Sequence, residues 1–501
     1  MSEKGYARLA TGLFAAAVLW VFAHVEFGWP SGDEGWYLYA ARELLRGRWP
    51  YVHYFFTQGP LTPLIMAAAM AADHTLEAGR TESALCFLLA LWLGAAWLHD
   101  DRASGETRLP SVFSNPQSAI GNPQSMWWFL LIGVSTFIVY MCTLALTTVY
   151  EMLAVCLTLL LLGRGRRGWA VAIAALACAV RISLAPWALA VWLYAASTLP
   201  APRRVRGALV LALLGGGLAA LAYAPFAIAA PERLREGLFG YHLGGGRIAL
   251  SAERAWEFRG VFWSQWIAIC WPVLAAVAAA YALTWRRWKW DRRDALLLGG
   301  ALALTIVHSL PSTPYPKYQV TPTALLALAA ARRLAVVRIP RLVLALVLAV
   351  IATWQVGYYW TITDHLRFEI PTPPARHRYA ARMLTRLAQR EPVLTFDTLL
   401  AVEGRLRVPP GYEMGPFALT VSWDDARARR VGTVTPAMVT AAFESARFRV
   451  LAVHGDDLGL AAPYWRNRAL AALRLNYHQV AMFPRIGHFA NPLFVFVRNG
   501  P

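Results

Sequence analysis

Charged residues are scarce in this sequence. Asp, Glu, Lys and Arg make up only 15% of its 501 residues, while 57% are hydrophobic. Soluble domains carry about 25% charged residues, so this composition excludes an ordinary soluble fold. Several windows of about 20 residues are almost free of charge, which is the length a helix needs to cross a bilayer core of about 30 Å. The sequence therefore predicts a polytopic α-helical membrane protein.

Motifs built on cysteine or for nucleic acid are also missing. The five cysteines all lie in apolar windows, and none has the spacing of a metal site or a redox pair. Neither a disulfide framework nor a zinc site is expected. The net charge of +19 comes without an aromatic–basic repeat, and the basic residues fall between the apolar windows. This placement is typical of membrane topology, so nucleic acid is excluded as a partner.

The apolar windows predict eleven membrane spans, at 8–28, 81–98, 126–141, 143–162, 168–181, 183–199, 207–228, 260–284, 294–310, 319–335 and 341–360. Basic residues cluster in alternate connections, which the positive-inside rule places in the cytoplasm. With an odd number of spans, the N-terminus is inside and the C-terminus outside. The first span lacks a small-residue cleavage site and is interpreted as an anchor rather than a signal peptide.

Three segments between or after the predicted spans differ from them in length or composition. Residues 60–73 are apolar but short, which predicts an interfacial or re-entrant helix. Residues 99–125 repeat Asn-Pro-Gln-Ser and predict a flexible cytoplasmic loop. Residues 361–501 have the composition of a soluble domain, so an extracytoplasmic α/β domain is expected to follow a membrane domain at 1–360. Its predicted helices lie at 374–390 and near 463–474, and its strands at 393–396, 448–454 and 493–497.

Two adjacent carboxylates, Asp33 and Glu34, follow the first apolar segment. Ionisable residues at a membrane surface are functional candidates, so both are candidate catalytic residues. Ser31-x-x-Glu34 also matches a capping box, an interpretation that explains Glu34 and leaves Asp33 unexplained. Asp33 is therefore the candidate general base. The helix that follows has apolar residues four apart and is predicted to lie along the outer leaflet.

An aromatic stretch at 48–63 comes next and contains Tyr51, His53 and Gln58. Aromatic rings at an interface usually anchor a protein among the headgroups, and they also form stacking platforms for sugars. Both interpretations stay open. The three residues are candidate substrate contacts because they lie close in sequence to the acidic pair.

This region resembles the membrane glycosyltransferases of the GT-C superfold, which include the protein O-mannosyltransferase and aminoarabinose-transferase branches. The resemblance covers about residues 8–200 well and 294–360 loosely, and it rests on the acidic pair, the Tyr39–Arg42 helix, Gly47, Pro50-Tyr51, Gly59-Pro60-Leu61 and Arg80. It implies that Asp33 is the base, that the donor is a sugar on a polyprenyl phosphate, and that transfer inverts the anomeric centre. Gln58 departs from the pattern, since many relatives have Lys before the Pro, so other cations must hold the donor phosphate.

Candidate donor-phosphate residues lie at the outer ends of later spans. Arg181 separates two apolar windows; its guanidinium suits phosphate, and the alternative is an arginine snorkelling to headgroups. Lys317 and Tyr315 lie in the Pro- and Tyr-rich loop 311–318, where relatives often place a phosphate or sugar contact. The alternative for Lys317 is a snorkelling anchor. His308, just inside this loop, is either a further donor contact or a hydrogen-bonded core histidine.

Four more residues are candidate substrate contacts. Arg80 opens the second span. Glu151, near the outer start of the fourth, suits an acceptor hydroxyl or a pairing with Arg181 or Arg80. His242 and Arg247 flank a run of three glycines, which either cradles phosphate through its N–H groups or is a flexible loop.

The resulting hypothesis is a glycosyltransferase at the outer face of a bacterial cytoplasmic (inner) membrane. It would move a sugar from a polyprenyl-phosphate donor to a lipid, glycan or protein acceptor. No cofactor is expected, because a DxD triplet is missing, although a divalent ion on Asp33, Glu34 and Glu151 stays open. The rivals are a lipid or sugar transporter or flippase, and a non-catalytic lipid-binding scaffold. Transporters often show paired repeats, which are not visible in this sequence.

Overall fold

The computed structural model describes residues 3–103, 123–133, 135–243, 252–285, 291–311, 314–337 and 370–500 apart from 458–461 and 487–490, with scattered residues from 339 to 354. Up to residue 334, the helices are α1 (Glu3–Phe27), α2 (Gly32–Leu45), α3 (Leu61–Ala72), α4 (Leu76–Ala103), α5 (Pro123–Gly133), α6 (Thr136–Thr143), α7 (Thr147–Gly163), α8 (Arg167–Val180), α9 (Ala185–Ser197), α10 (Arg204–Ala229), α11 (Ala252–Thr284), α12 (Arg292–Ser309) and α13 (Val320–Leu334). Short helical turns at Pro231–Arg235, Glu236–Gly240 and Tyr241–Leu243 follow α10.

Several of these helices suit a bilayer. By length and composition, four of the described helices can cross a membrane (α1, α4, α10 and α11), and the pair α5 and α6, bent by 76°, adds one if it is a single broken span. The predicted span at 126–141 therefore falls on two helices, Pro123–Gly133 and Thr136–Thr143. Helices α3, α7, α8 and α9 are apolar but shorter. The count of eleven spans stays a prediction, since most of 341–360 and of the 99–125 loop lies outside the described residues.

Helix α2, predicted to lie along the outer leaflet, is enclosed by protein. Ser31 caps it: the Ser31 N–H donates to Glu34 Oε2 at 2.8 Å, and Asp33 N–H donates to Ser31 Oγ at 3.3 Å. Every residue from Asp33 to Glu43 is buried. The reason is that α2 is covered on both sides, by α3 and α4 of the helical bundle and by residues of the C-terminal region.

The C-terminal region combines a small sheet with helices. The helices are α14 (Pro373–Ala388), α15 (Thr398–Glu403), α16 (Asp425–Val431), α17 (Pro436–Glu444) and α18 (Pro463–Asn476). The strands are β1 (Leu394–Thr395), β2 (Val450–His454), β3 (Tyr477–Phe483) and β4 (Leu493–Arg498), in the order β1-β2-β4-β3. The pair β1–β2 is parallel, whereas β4 is antiparallel to both β2 and β3. Since β1 and β2 are parallel, Asp397 and His454 meet at the same edge of the sheet, where their carboxyl ends lie.

Candidate functional site

A cavity lies where the two parts of the molecule meet. Its wall comes from the start of α2, the first loop, the start of α7, the end of α8, the last turn after α10, the loop before α13 and the C-terminal region. The lining residues are Asp33, Trp36, Tyr37, Thr57, Gln58, Leu146, Thr147, Thr148, Arg181, Tyr241, His242, Pro311, Tyr315, Lys317, Tyr318 and Phe417. Six of the residues singled out in the sequence are thus brought together: Asp33, Gln58, Arg181, His242, Tyr315 and Lys317.

Asp33 occupies the first turn of α2, where its carboxylate faces the cavity. Lys317 Nζ donates a hydrogen bond to Asp33 Oδ2, across 284 positions of the chain. The ammonium group also lies 5.1 Å from the ring centre of Tyr315 and 5.9 Å from that of Tyr318. Ammonium groups are attracted to aromatic ring faces within about 6 Å, so the two tyrosines help to hold Lys317 at the acid.

Arg181, the residue after α8, forms a second ion pair in the cavity wall. Its Nη1 lies 2.9 Å from Glu151 Oε1 in α7, and its guanidinium lies 4.2 Å from the Tyr318 ring centre. Glu151 also accepts hydrogen bonds from Thr147 Oγ1 at 3.0 Å and Thr321 Oγ1 at 3.2 Å. Glu151 therefore takes the alternative foreseen for it, a pairing with Arg181. Each cation of the cavity is matched by one carboxylate.

Gly59 lets the first loop approach the end of α8. A Cβ at Gly59 would lie 2.1 Å from the carbonyl oxygen of Ala179, closer than real atoms come. The Gly59 N–H donates to Val180 O at 3.2 Å, and Thr62 Oγ1 donates to the same oxygen at 3.0 Å. A residue without a side chain is needed for such an approach, which sets Gln58 in the cavity wall beside Arg181.

The other first-loop candidates divide between support and surface. Tyr51 is buried and donates its hydroxyl to the Gln58 carbonyl, so it supports the loop from behind. His53 is exposed, and its Nδ1 accepts from the Trp49 N–H at 2.8 Å, away from the cavity. His242 lines the cavity and donates from Nε2 to Thr57 O at 3.0 Å. Burial lowers the pKa of His242, which favours the neutral ring.

Glu34 and Arg80 are fully buried beside the cavity but do not line it. Arg80 Nε and Nη2 each lie 2.8 Å from a Glu34 oxygen, and Ala145 N–H donates to Glu34 Oε1 at 3.0 Å. Arg80 also donates to the carbonyls of Val25, Gly28 and Trp29. With its cap and this ion pair, Glu34 fastens the start of α2 to α1 and α4, which favours a structural role over catalysis.

Two candidates lie elsewhere. His308 in α12 is buried, and its Nε2 is hydrogen-bonded to Ser183 Oγ at 2.9 Å, behind the lining residues. Arg247 and the neighbouring glycine run fall outside the described residues. Within the described part of the chain, no group of three His, Cys, Asp or Glu is placed to hold a metal ion. The independence from metal stays a prediction.

Phe417 is the lining residue least accessible to sequence analysis. It comes from the C-terminal region, and its ring lies 5.6 Å from that of Trp36 and 6.2 Å from that of Tyr241. No local pattern links position 417 to position 36.

Lys317, by contrast, stands out in the sequence by its rarity. The only other lysines are Lys4 and Lys289, against 45 arginines, so a lysine in this loop is conspicuous.

No protein-family profile matches the sequence, and no curated protein matches it. Among solved structures, the fold is similar to the crystal structure of ArnT from Cupriavidus metallidurans in the apo state, with a TM-score of 0.65, 14% sequence identity, and full coverage of both chains. At this identity the likeness concerns the fold alone. The chain therefore has an ArnT-like fold, and several of its described helices are long and apolar enough to cross a membrane, which supports the expected fold at that level.

Proposed function

We propose that this chain is a glycosyltransferase that moves a sugar from a polyprenyl-phosphate donor to a hydroxyl of a lipid, glycan or protein acceptor. The reaction would take place at the outer face of the inner membrane, where the C-terminal region would also lie, and it would need no metal. The observation that carries the proposal is the meeting of one buried carboxylate, Asp33, with two cations, Lys317 and Arg181, around a single cavity.

Each group has a step in the transfer. Asp33 takes the proton of the acceptor hydroxyl as its oxygen bonds to the anomeric carbon. The bond from that carbon to the phosphate oxygen breaks, and the phosphate leaves with the electron pair; because the acceptor oxygen attacks the opposite face, the anomeric centre inverts. Lys317 and Arg181 offset the negative charge that grows on the phosphate. Thr147, Gln58 and His242, which line the same cavity, would hydrogen-bond the sugar.

The existing ion pairs suggest how donor binding prepares the base. The Lys317 ammonium group is paired with the Asp33 carboxylate, and an incoming phosphate would compete with this carboxylate for it. A carboxylate that gives up its cation becomes available to the acceptor hydroxyl. The donor would thus bind first, and Asp33 would be withheld from water until the donor is in place.

The test is a turnover assay on protein in lipid nanodiscs. Release of polyprenyl phosphate is followed from a panel of radiolabelled polyprenyl-phosphate sugars mixed with candidate acceptors, with and without EDTA. We expect EDTA-resistant turnover that falls by about 10²–10⁴-fold in Asp33→Asn, the usual contribution of a general base. A lack of turnover from every donor, with tight lipid binding kept in both proteins, would favour a transporter or scaffold instead.

A further inference from the structure

Helix α2, which carries the proposed base, touches the C-terminal region backbone to backbone. Gly35 lies two residues after Asp33. A Cβ on Gly35 would lie 2.4 Å from the backbone nitrogen of Leu399 and 2.9 Å from Thr398 Oγ1, both in the first turn of α15. Only glycine allows this approach, because a nitrogen of the backbone cannot rotate away as a side chain can.

The far end of α15 is held by a buried arginine of α2. Arg42 is 1% exposed, and its guanidinium donates to the carbonyls of Ala401 and Leu406, each at 2.6 Å. Carbonyl groups at the C-terminal end of a helix carry partial negative charge, which suits a cation. The contact gives both terminal nitrogens of the guanidinium an acceptor, and the Glu43 carboxylate lies 3.6 Å from Nη2.

The near end of α15 is fixed within the C-terminal region by Asp397. Its Oδ1 accepts from the Leu399 N–H at 3.1 Å, which caps the helix. Its Oδ2 is hydrogen-bonded to His377 Nε2 at 3.2 Å and to His454 Nε2 at 3.1 Å. The cap thereby links α15 to α14 and to the end of β2. The six-residue helix is tied at one end to the sheet and at the other to α2.

These contacts lie on a different face of α2 from the Glu34–Arg80 pair, since neighbouring helix residues point about 100° apart. That pair binds the same helix to the membrane bundle, and a helix held on two faces has little freedom to tilt or slide. Asp33, next to Glu34 and two residues from Gly35, takes its position relative to Lys317 from this double attachment. The α15 contact is therefore placed to influence the base without touching the substrate.

We propose that α15 is a positioning element for the base, acting through Gly35 and Arg42 of α2 and anchored by Asp397. The proposal rests on the proposed function, since it needs Asp33 to be the base. Thr398, Leu399 and Asp397 are positioning residues, and none of them lines the cavity. Misplacement of a catalytic group by about 1 Å can lower a rate by about a hundredfold, so a small displacement of α2 would suffice.

The first test compares two glycine substitutions in helices. Gly35→Ala introduces the collision with α15, whereas Gly299→Ala in α12 meets nothing within 4 Å. Helix propensity favours alanine at both positions, so only the contact distinguishes them. We measure donor turnover in nanodiscs and hydrogen–deuterium exchange of α2. In Gly35→Ala we expect kcat to fall by about ten- to a hundredfold with the donor KM unchanged, and exchange in residues 33–40 to rise. Gly299→Ala should match the wild type in both.

The second test compares two substitutions of Asp397, the residue that caps α15. Asp397→Asn keeps an oxygen that can cap α15, while Asp397→Ala removes it. Because asparagine loses the acceptor for His377 and His454, we expect a partial loss of kcat in that variant and a larger loss in the alanine variant, again with the donor KM unchanged. A merely destabilising substitution would lower the amount of active protein, which active-site titration measures separately.

Several outcomes would overturn the inference. Exchange of α2 in Gly35→Ala equal to that of the wild type would show that the contact does not hold the helix. A rise in exchange without loss of kcat would show that the position of α2 does not limit catalysis. If the wild type turns over no donor, the proposed function fails and the positioning role falls with it, while the exchange data still report the contact itself.

Discussion

Lys317 and Asp33 form an ion pair that keeps both charged groups at the cavity. The ammonium group lies at the acid and against two tyrosine rings, and in the proposed reaction it moves its charge to the leaving phosphate. Asp33 alone is a buried carboxylate near a helix N-terminus, which is a stable arrangement. Only the cation next to it gives the acid a partner that an incoming anion can take away.

Replacing Lys317 should weaken catalysis more than folding. In Lys317→Gln we expect kcat/KM for the donor to fall by about a hundredfold, since one group that stabilises the leaving charge is lost. The assay is donor turnover in nanodiscs. Lys4→Gln, at the other end of α1 from the acidic pair, is the matched control and should behave as the wild type. Equal activity of both variants would refute the role of Lys317.

The buried Glu34–Arg80 ion pair is expected to contribute to the stability of the fold rather than to catalysis. In Arg80→Met we expect a loss of about 3–5 kcal/mol, because Glu34 would stay buried without its cation. Thermal unfolding in detergent measures the change. Arg468→Met breaks a pair whose side chains are 41% and 40% exposed, so its loss should change the stability little. A comparable effect of the two substitutions would contradict the importance of burial.

At the scale of elements, the helix that changed most from expectation is α2. Its periodic apolar residues indicate one buried face, yet both faces are covered. The prediction assumed water on the polar side, whereas α15 lies there and accepts the hydrogen bonds of Arg42. Strand β3 was not predicted because its residues are mostly exposed and include His478 and Gln479; pairing with β4 forms it.

The histidine pair at the edge of the sheet should make the C-terminal region sensitive to alkaline pH. Burial lowers the pKa of His454, but the hydrogen bond to Asp397 and the nearby Asp457 outweigh it and raise the pKa to about 9. Burial raises the pKa of Asp457 to about 7. Both groups hold protons more tightly in the folded state, so the stability they contribute is lost as pH rises through these values.

We therefore expect the C-terminal region to unfold more easily at pH 9 than at pH 6.5, by roughly 3 kcal/mol or less for His454, whose pKa is raised to about 9. Hydrogen–deuterium exchange of β2 and α15 across this range measures it. The groups facing His454 are His377, Asp397, Asp456 and Asp457. In His454→Gln the pH dependence above 7 should flatten, and an unchanged profile would exclude His454 as its source.

At the scale of the whole molecule, the C-terminal region is part of the site rather than an appendage. Phe417 lines the cavity, and Arg427 reaches Glu236 of the segment after α10 at 2.6 Å. Arg48 of the first loop likewise meets Glu413 at 3.1 Å. These contacts join segments far apart in the chain, so the cavity exists only when the bundle and the α/β region are packed together.

Membrane insertion, most helix positions and the cap at Ser31 follow from the sequence, because hydropathy and capping depend on residues adjacent in the chain. Asp33 and Glu34 also stand out locally, as charges next to an apolar segment. The different surroundings of the two acids cannot be seen locally. They depend on Lys317, 284 positions from Asp33, and on Arg80, 46 positions from Glu34. Charges find such partners only when helices pack, since burial makes an unpaired charge costly and packing alone determines which opposite charge is within reach.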